Sequence, residues 1–343
     1  MEQPSSDSSF VTLQEVAHTF GFDTAEAEKV ATVYPFRLTR HYFNLIRQVG
    51  DPLWLQAIPD ARELQDETQL ADPLFETELS PVPGLIHRYP DRVVWLVSGS
   101  CPMYCRFCMR KRGVGCGNSL STDIKAALEY IRGNNRIRDV ILSGGDPLML
   151  SYEHLEMILS SLHSIPHLEM IRIGTRIPVT KPELVTERLC SMIKRYHPVY
   201  INTHFNHPDE VNQQSAKACF MLADAGIQLG NQTVLLGGVN DGPAVMASLF
   251  RKLLQIRVKP YYLHQMDLVK GTGHFRTSVS KGLEIMNSLR GNVSGMAVPY
   301  YVIDLPEGKG KVPLLPGHEV RQDGTLQLTT YTGDKVIYND IRG

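Results

Sequence analysis

Apolar residues fall into two rhythms along this chain. Near the start, Leu13, Val16, Ala17 and Phe20 recur at helical spacing behind Thr12-Leu-Gln-Glu15, which has the form of a capping box. More helix is expected over 34–48. From Asp60 to Pro83 the chain is polar and proline-rich, with few periodic positions, and reads as an extended wrap. Beyond it the rhythm changes. Val93-Val-Trp-Leu-Val97 is a continuous apolar run, the pattern of a strand covered on both faces, and Asp139–Leu142, Met170–Ile173 and Val199–Asn202 resemble it. Helical stretches at Thr122–Arg132, Tyr152–Leu162, Pro182–Tyr196 and Ser215–Ala225 lie between and after them. The alternation continues with a strand at Gln232–Leu236, a helix near Pro243–Gln255, a strand at Val258–Leu263, a helix near Ser280–Leu289 and a strand at Ala297–Ile303.

About six βα units in series predict a parallel sheet curled into a full or partial barrel, because right-handed crossovers and helix-covered faces leave few other solutions. The expected class is α/β, a partial (β/α)6 barrel over 81–312. A helical segment and wrap over 1–80 precede it, and a short C-terminal extension over 313–343 follows. Functional residues are then expected where strands end.

Charge narrows the partners. With 35 Lys+Arg against 36 Asp+Glu there is no basic field to attract nucleic acid or an anionic membrane, which favours a small molecule. No apolar run approaches the roughly 18 residues that span a bilayer, and the polar start Met1-Glu-Gln-Pro-Ser-Ser-Asp7 is not a secretory signal, so a cytoplasmic chain is expected. Of the six cysteines, three crowd into Cys101–Cys108, poor geometry for a disulfide framework. Cys190 and Cys219 lie in helical patterns and read as buried small hydrophobes, and Cys116 is isolated.

The cluster Cys101-Pro-Met-Tyr-Cys105-Arg-Phe-Cys108 comes soon after the first apolar strand, on the loop at its carboxyl end. Three local thiolates suit a [4Fe–4S] cluster with one iron left open; the alternatives are zinc completed by a distant His or Cys, or buried thiols without metal. At the end of the next strand stands Ser143-Gly-Gly-Asp-Pro147, which alone would be a tight turn.

The Cys-x-x-x-Cys-x-x-Cys spacing, with an aromatic before the last Cys, resembles the signature of the radical S-adenosylmethionine (SAM) superfamily. Ser143, Gly144, Gly145 and Asp146 resemble its segment along the SAM methionyl amine. From about Thr32 to Pro316 the chain also resembles the superfamily's 2,3-aminomutase branch, through 80–92, 201–208, 229–236, 261–267 and 274–277. The resemblance implies an isomerase that moves an amino group between Cα and Cβ of an amino acid, using a [4Fe–4S] cluster, SAM and pyridoxal 5′-phosphate (PLP).

Residue by residue, it implies the cluster on Cys101, Cys105 and Cys108, and PLP on Lys311. Lys309 is a weaker rival, because Glu307 and Lys309 interrupt the family's glycine run. Arg88, Tyr89 and Arg92 match residues around the cofactor, where Arg suits phosphate oxygens. His204 and Gln232 match positions lining the SAM and PLP pocket, and Arg110 matches the partner of the substrate α-carboxylate. Asp267 and Asp304 match two carboxylates that grip a distal ammonium. Without the resemblance the lysines and arginines would read as solvated charges, and the two aspartates as a helix cap and an ordinary ion pair.

Two carboxylates in one low-dielectric pocket repel unless a cation sits between them, so a basic substrate is expected and glutamate is not. L-Lysine converted to β-lysine is the first expectation, with arginine or ornithine as alternatives. The resemblance is compatible with an electron donor such as flavodoxin or ferredoxin and with a homo-oligomer. Structural zinc between subunits is not expected, because the turn Val239-Asn-Asp-Gly242 lacks the family's cysteine and none comes after it. From another functional class, a non-catalytic cluster or zinc-binding protein is the competing reading.

Overall fold

The computed structural model describes residues 9–66, 69–115, 123–317, 319–322 and 325–338. The polar start Met1–Asp7, Cys116 and the first residue of the helix expected from Thr122 lie outside them.

The helical head is tied at its ends by β1 (Phe10–Val11) pairing antiparallel with β2 (Leu38–Thr39). Between them run α1 (Leu13–Phe20) and α2 (Ala25–Val33). The capping box on α1 is formed in both directions, between the Thr12 hydroxyl and Glu15 N–H and between the Glu15 carboxylate and Thr12 N–H. The helix expected over 34–48 is not continuous. Pro35 interrupts the run, the chain extends as β2, and the Thr39 hydroxyl accepts from Tyr42 N–H at 3.2 Å to start a short α3 (Arg40–Phe43). Asp51 then caps α4 (Pro52–Ala57).

Nine strands form one sheet in the order β11-β10-β9-β8-β7-β6-β5-β4-β3. They are β3 (Leu85–Tyr89), β4 (Arg92–Ser98), β5 (Asp139–Gly144), β6 (Met170–Gly174), β7 (Val199–Thr203), β8 (Gln228–Leu235), β9 (Lys259–Gln265), β10 (Tyr300–Leu305) and β11 (Gly310–Leu314). From β4 to β10 every neighbouring pair is parallel. The connections carry α5 (Ile124–Gly133), α6 (Tyr152–His163), α7 (Ile177–Thr180) with α8 (Glu187–Lys194), α9 (Gln213–Asp224), α10 (Pro243–Gln255) and α11 (Val279–Leu289). The fold is therefore the α/β partial barrel expected from the alternation.

Local boundaries shift for local reasons. The helix expected from Pro182 begins at Glu187, because Pro182–Leu184 makes a separate 3-10 turn and the Thr186 hydroxyl caps α8. The last parallel strand starts at Tyr300, after Pro299, and not at Ala297. Lys311, just after Gly308 and Gly310, lies on β11. That strand pairs antiparallel with β10 and places Lys311 opposite Asp304. β3 is a matching hairpin strand on β4.

β3 and β11 are the two open edges of the sheet. Tyr89 on β3 spans the gap, its hydroxyl accepting from Lys311 N–H at 2.7 Å. The segment 72–80 straps the same gap: Glu307 N–H donates to Pro73 O at 2.8 Å, and Arg88 Nη2 donates to Leu74 O at 3.3 Å. Past β11, which crosses the boundary expected at 312, β12 (Glu319–Gln322), β13 (Thr325–Thr329) and β14 (Lys335–Tyr338) form a separate antiparallel meander.

One apolar cluster runs from the head through the sheet to the outer helices, with Tyr42, Trp95, Phe205, Phe250 and Tyr301 fully buried in it. Charge joins the head to the cysteine loop. Glu63 accepts from Arg106 Nε at 2.8 Å, from Arg106 Nη2 at 2.6 Å and from Lys111 Nζ at 2.5 Å, all three side chains being 0–1% exposed. Arg106 also donates to Pro35 O at 2.8 Å. Burial opposes the charge on Glu63, but Arg106 and Lys111 outweigh it and hold the carboxyl below its usual range.

Glu63→Gln would leave two buried cations without their anion. Breaking such a pair costs about 3–5 kcal/mol. Urea unfolding at neutral pH should show a loss of that order; a change within about 0.5 kcal/mol would mean that the clamp does not contribute to stability.

Candidate active site

The cysteine loop leaves the carboxyl end of β4 and is held from three sides. The head grips Arg106 and Lys111 through Glu63. Phe107 is buried in a small apolar cluster with Leu236, Val239, Met266 and Phe275, which fixes the residue before Cys108 against the ends of β8 and β9. Arg176, just past β6, donates from Nη1 to Cys105 Sγ at 2.9 Å. Its other donors reach Gln56 Oε1 at 2.8 Å and Glu210 Oε1 at 2.7 Å, so its plane is set by buried acceptors.

The three thiols share one electrostatic environment. Burial, then Asp146 and the other two thiols, push Cys101 well above its ordinary range. Burial, with Cys105 next, pushes Cys108 up to about 11. The Cys101 and Cys108 thiolates are opposed by burial and by neighbouring thiols, and bound iron would relieve that opposition.

The Ser143-Gly-Gly-Asp turn packs against the root of this loop. Gly145 N–H donates to Ser98 O at 2.5 Å and Asp146 N–H to Ser100 O at 2.8 Å. A Cβ on Gly144 would lie 2.3 Å from Ser98 O, and one on Gly145 would lie 2.4 Å from Ser100 O, so the approach requires glycine at both positions. Asp146 is occupied by the protein: it accepts from Thr175 Oγ1 at 2.8 and 2.9 Å, from Arg176 N–H at 2.8 Å and from Leu148 N–H at 3.0 Å. Burial nevertheless pushes its carboxyl up to about 6. The aspartate thus joins the turn to the arginine that contacts Cys105.

On the far side of the barrel, Lys311 Nζ donates to Asp304 Oδ2. Arg88 Nη1 donates to Asp304 Oδ1 at 3.2 Å, and His264 Nδ1 lies 3.3 Å from Oδ2. Burial works against the charge on Asp304, but His264 and Lys311 hold its carboxyl well below the usual range. Lys309 stands apart: its side chain is 66% exposed and pairs with Glu307 at 2.6 Å, so the structure separates it from this group. Arg92 stacks on Tyr89 at 3.9 Å and pairs with Asp91 at 2.8 Å. Gln232 is half-buried on β8, in register with Tyr262.

Asp267 contrasts with Asp304. It has no ion-pair or hydrogen-bond partner among the described residues, and burial, reinforced by the charge on Asp304, pushes its carboxyl up to about 7. Arg110 contributes to the same electrostatic region, since Asp267 is among the charges that raise its own pKa. Its guanidinium is held by Glu76, from Nε at 3.0 Å and Nη2 at 2.7 Å, and by Ser143 Oγ from Nη1 at 3.0 Å. Sequence reasoning missed Glu76, Arg176 and His264. Only placement hinted at two of them, Arg176 and His264 being near strand ends, while Glu76 is one of several acids in a polar stretch.

Comparison with known proteins resolves what this assembly belongs to. A model of the radical SAM superfamily matches residues 95–249, and a lysine-2,3-aminomutase model matches 286–338. The chain is 49% identical over 327 residues to an L-lysine 2,3-aminomutase of Methanococcus maripaludis, covering 94% of this chain and 73% of that one. It is 47% identical over 340 residues to that of Clostridium subterminale, covering 97% and 80%. The chain belongs to the lysine 2,3-aminomutase family of the radical SAM superfamily. Membership implies a [4Fe–4S] cluster and SAM. A glutamate 2,3-aminomutase of Clostridioides difficile is also 47% identical, over 319 residues and covering 91% and 75%, so identity by itself does not choose the substrate.

The residues present fit the family's groups. A cavity of about 110 Å³ lined by Phe36, Arg37, Cys101, Tyr104 and Val114 opens beside the cysteine loop. Arg88 Nε, His204 Nε2 and His264 Nε2 are buried polar atoms without a hydrogen-bond partner among the described residues. Each such atom costs about 1–3 kcal/mol unless something meets it, so a polar ligand suits this lumen. Burial, with Arg176 and His264, pushes His204 down to about 3, so its ring is neutral. No helix among the described residues is long and apolar enough to cross a membrane.

Asp267 generates a test. Because its pKa stands near 7 in place of 3.8, the carboxyl opposes folding increasingly above about pH 4 and fully above about pH 7. Asp267→Asn should raise the Tm of the ligand-free protein at pH 8 and leave it unchanged at pH 4. Equal shifts at both pH values would show that the ionised carboxyl carries no such penalty.

Proposed function

We propose that this chain is a SAM- and PLP-dependent 2,3-aminomutase that moves the α-amino group of L-lysine to Cβ. The observation that carries the substrate assignment is Asp267: a half-buried carboxyl with no partner among the described residues, beside the charge of Asp304, in a region that also holds Lys311 and Arg110. A cation next to Asp267 relieves both burial and repulsion, whereas a second carboxylate, as in glutamate, adds to them. Arginine and ornithine share the positive tail and are the nearest competitors.

When bound, the cluster with SAM supplies hydrogen-atom abstraction, and PLP supplies a carrier for the migrating nitrogen. The protein supplies placement. Cys101, Cys105 and Cys108 hold the cluster, and Arg176 fixes Cys105 through its N–H···S contact. Ser143, Gly144 and Gly145, with Asp146 behind them, provide a close backbone surface at the SAM side, while His204 and Gln232 contribute polar side chains to the lumen. Lys311 provides the PLP amine, and Arg88, Tyr89 and Arg92 surround the cofactor. Asp304 accepts from Lys311 Nζ and so fixes where that nitrogen stands.

His264 completes this side. Burial and the Lys311 charge push its pKa down, so the ring is neutral; its Nδ1–H then donates to Asp304 and its lone pair stands at Nε2. That leaves one buried acceptor for a ligand N–H or O–H. Arg110 takes the substrate α-carboxylate, and Asp267 with Asp304 takes the distal ammonium. The electron for SAM cleavage comes from a small redox protein of the flavodoxin or ferredoxin type.

Anaerobic protein reconstituted with iron, sulfide and PLP, then given SAM, dithionite and an equal mixture of lysine, arginine, ornithine and glutamate, should form β-lysine as its main product. Lys311→Ala should still release 5′-deoxyadenosine slowly yet form no β-amino acid. A main product from glutamate would overturn the role of Asp267, and normal turnover by Lys311→Ala would overturn the PLP assignment.

A further inference from the structure

Arg110 is held in one orientation by a residue outside the barrel strands. Glu76 belongs to the strap 72–80. It is 5% exposed and engages the guanidinium from the side, through Nε at 3.0 Å and Nη2 at 2.7 Å. Ser143 Oγ accepts from Nη1 at 3.0 Å. A guanidinium carries five N–H donors, so these contacts leave one on each Nη. The side-on pairing leaves the free Nη2 hydrogen on the edge that binds a carboxylate end-on, and Nη1 keeps one hydrogen beside its contact with Ser143.

Glu76 is itself held in place. Asp72 accepts from Glu76 N–H at 3.1 Å and from Thr77 N–H at 3.1 Å, and Arg112 pairs with Asp72 at 2.7 Å. Phe75, next to it, has a left-handed φ of 53°, which turns the chain tightly at this point. Arg88 Nη2 and Glu307 N–H hold the carbonyls of Leu74 and Pro73. The strap is thus fixed to both edges of the barrel, and Glu76 is a fixed support more than a swinging side chain.

We propose that Glu76 is a positioning residue for specificity: by seating Arg110 side-on, it presents the end-on edge to an α-carboxylate and makes the site select free amino acids over their amides and amines. The inference rests on the assignment of Arg110 to the substrate α-carboxylate. A structural role alone would weaken all ligands together, whereas this role affects only those that carry the carboxylate.

The test compares L-lysine with L-lysinamide, titrated into PLP-loaded protein under anaerobic conditions in the presence of SAM, with binding read from the PLP absorption band. Glu76→Gln keeps the shape and removes the charge and one acceptor. Its affinity for lysine should fall about tenfold, the loss expected for a disturbed charged hydrogen bond, while its affinity for lysinamide stays within about twofold of the parent. Unchanged or tighter lysine binding overturns the proposal, because Glu76 would then be either idle or a competitor for the same donors. An equal loss for both ligands also overturns it, leaving only a structural role. If Glu76→Gln fails to accumulate, Glu76→Asp, which keeps the charge but draws the carboxylate back, is read by the same comparison and the same outcomes. A parent protein whose PLP band does not respond to lysine would instead overturn the functional reading itself.

Discussion

The Asp304 carboxylate is where this open barrel is fastened. Arg88 reaches it from β3, His264 from β9 and Lys311 from β11, and Asp304 itself stands on β10. Two of these strands are the free edges of the sheet, which share no ladder. In an ordinary closed barrel the backbone would make that join. Here one buried anion and the Tyr89 hydroxyl do so, and the polar groups required for the join are also those that furnish a cofactor site. Architecture and chemistry use the same side chains, so removing Asp304 would affect both.

The opposite wall is organised around a cation. Arg176 links the cysteine loop, the head through Gln56, and the β7 end through Glu210, while its backbone is held by Asp146. A buried guanidinium is tolerable because acceptors and a thiol meet it on several sides. The glycine turn presses on the root of the same loop. Positions that must be precise relative to one another are therefore bound through one rigid group, each with its own short connection to the sheet.

Much of this was legible in the sequence because it is local. Apolar runs such as Val93–Val97 gave the parallel strands, and the helical period gave α10 at its observed bounds. Cys101, Cys105 and Cys108 stand out by local spacing, whereas Lys311, Asp267 and Asp304 are singled out only by the family resemblance. What escaped was mostly set by distant partners. Gly308 and Gly310, just before Lys311, suggest a loop, yet β10 recruits the lysine into a strand. Glu76 looked like an ordinary polar residue because Arg110 lies 34 positions away. The break after Pro35 was local but was outvoted by the apolar pattern around it. Lys309 and Lys311 were separable only once burial was known.

The clamp of Glu63 on Arg106 and Lys111 also orders events in time. Its receiving side, from Pro35 through Gln56 to Glu63, precedes the cysteines in the chain, while Lys311 lies some 200 residues beyond them. A ribosome therefore delivers the seat of the cysteine loop before the loop, and the lysine only when nearly all of the barrel has been made. The seat on the head is thus present before the cysteines, Arg176 and the Phe107 cluster are added later, and the strand that carries Lys311 closes the barrel last.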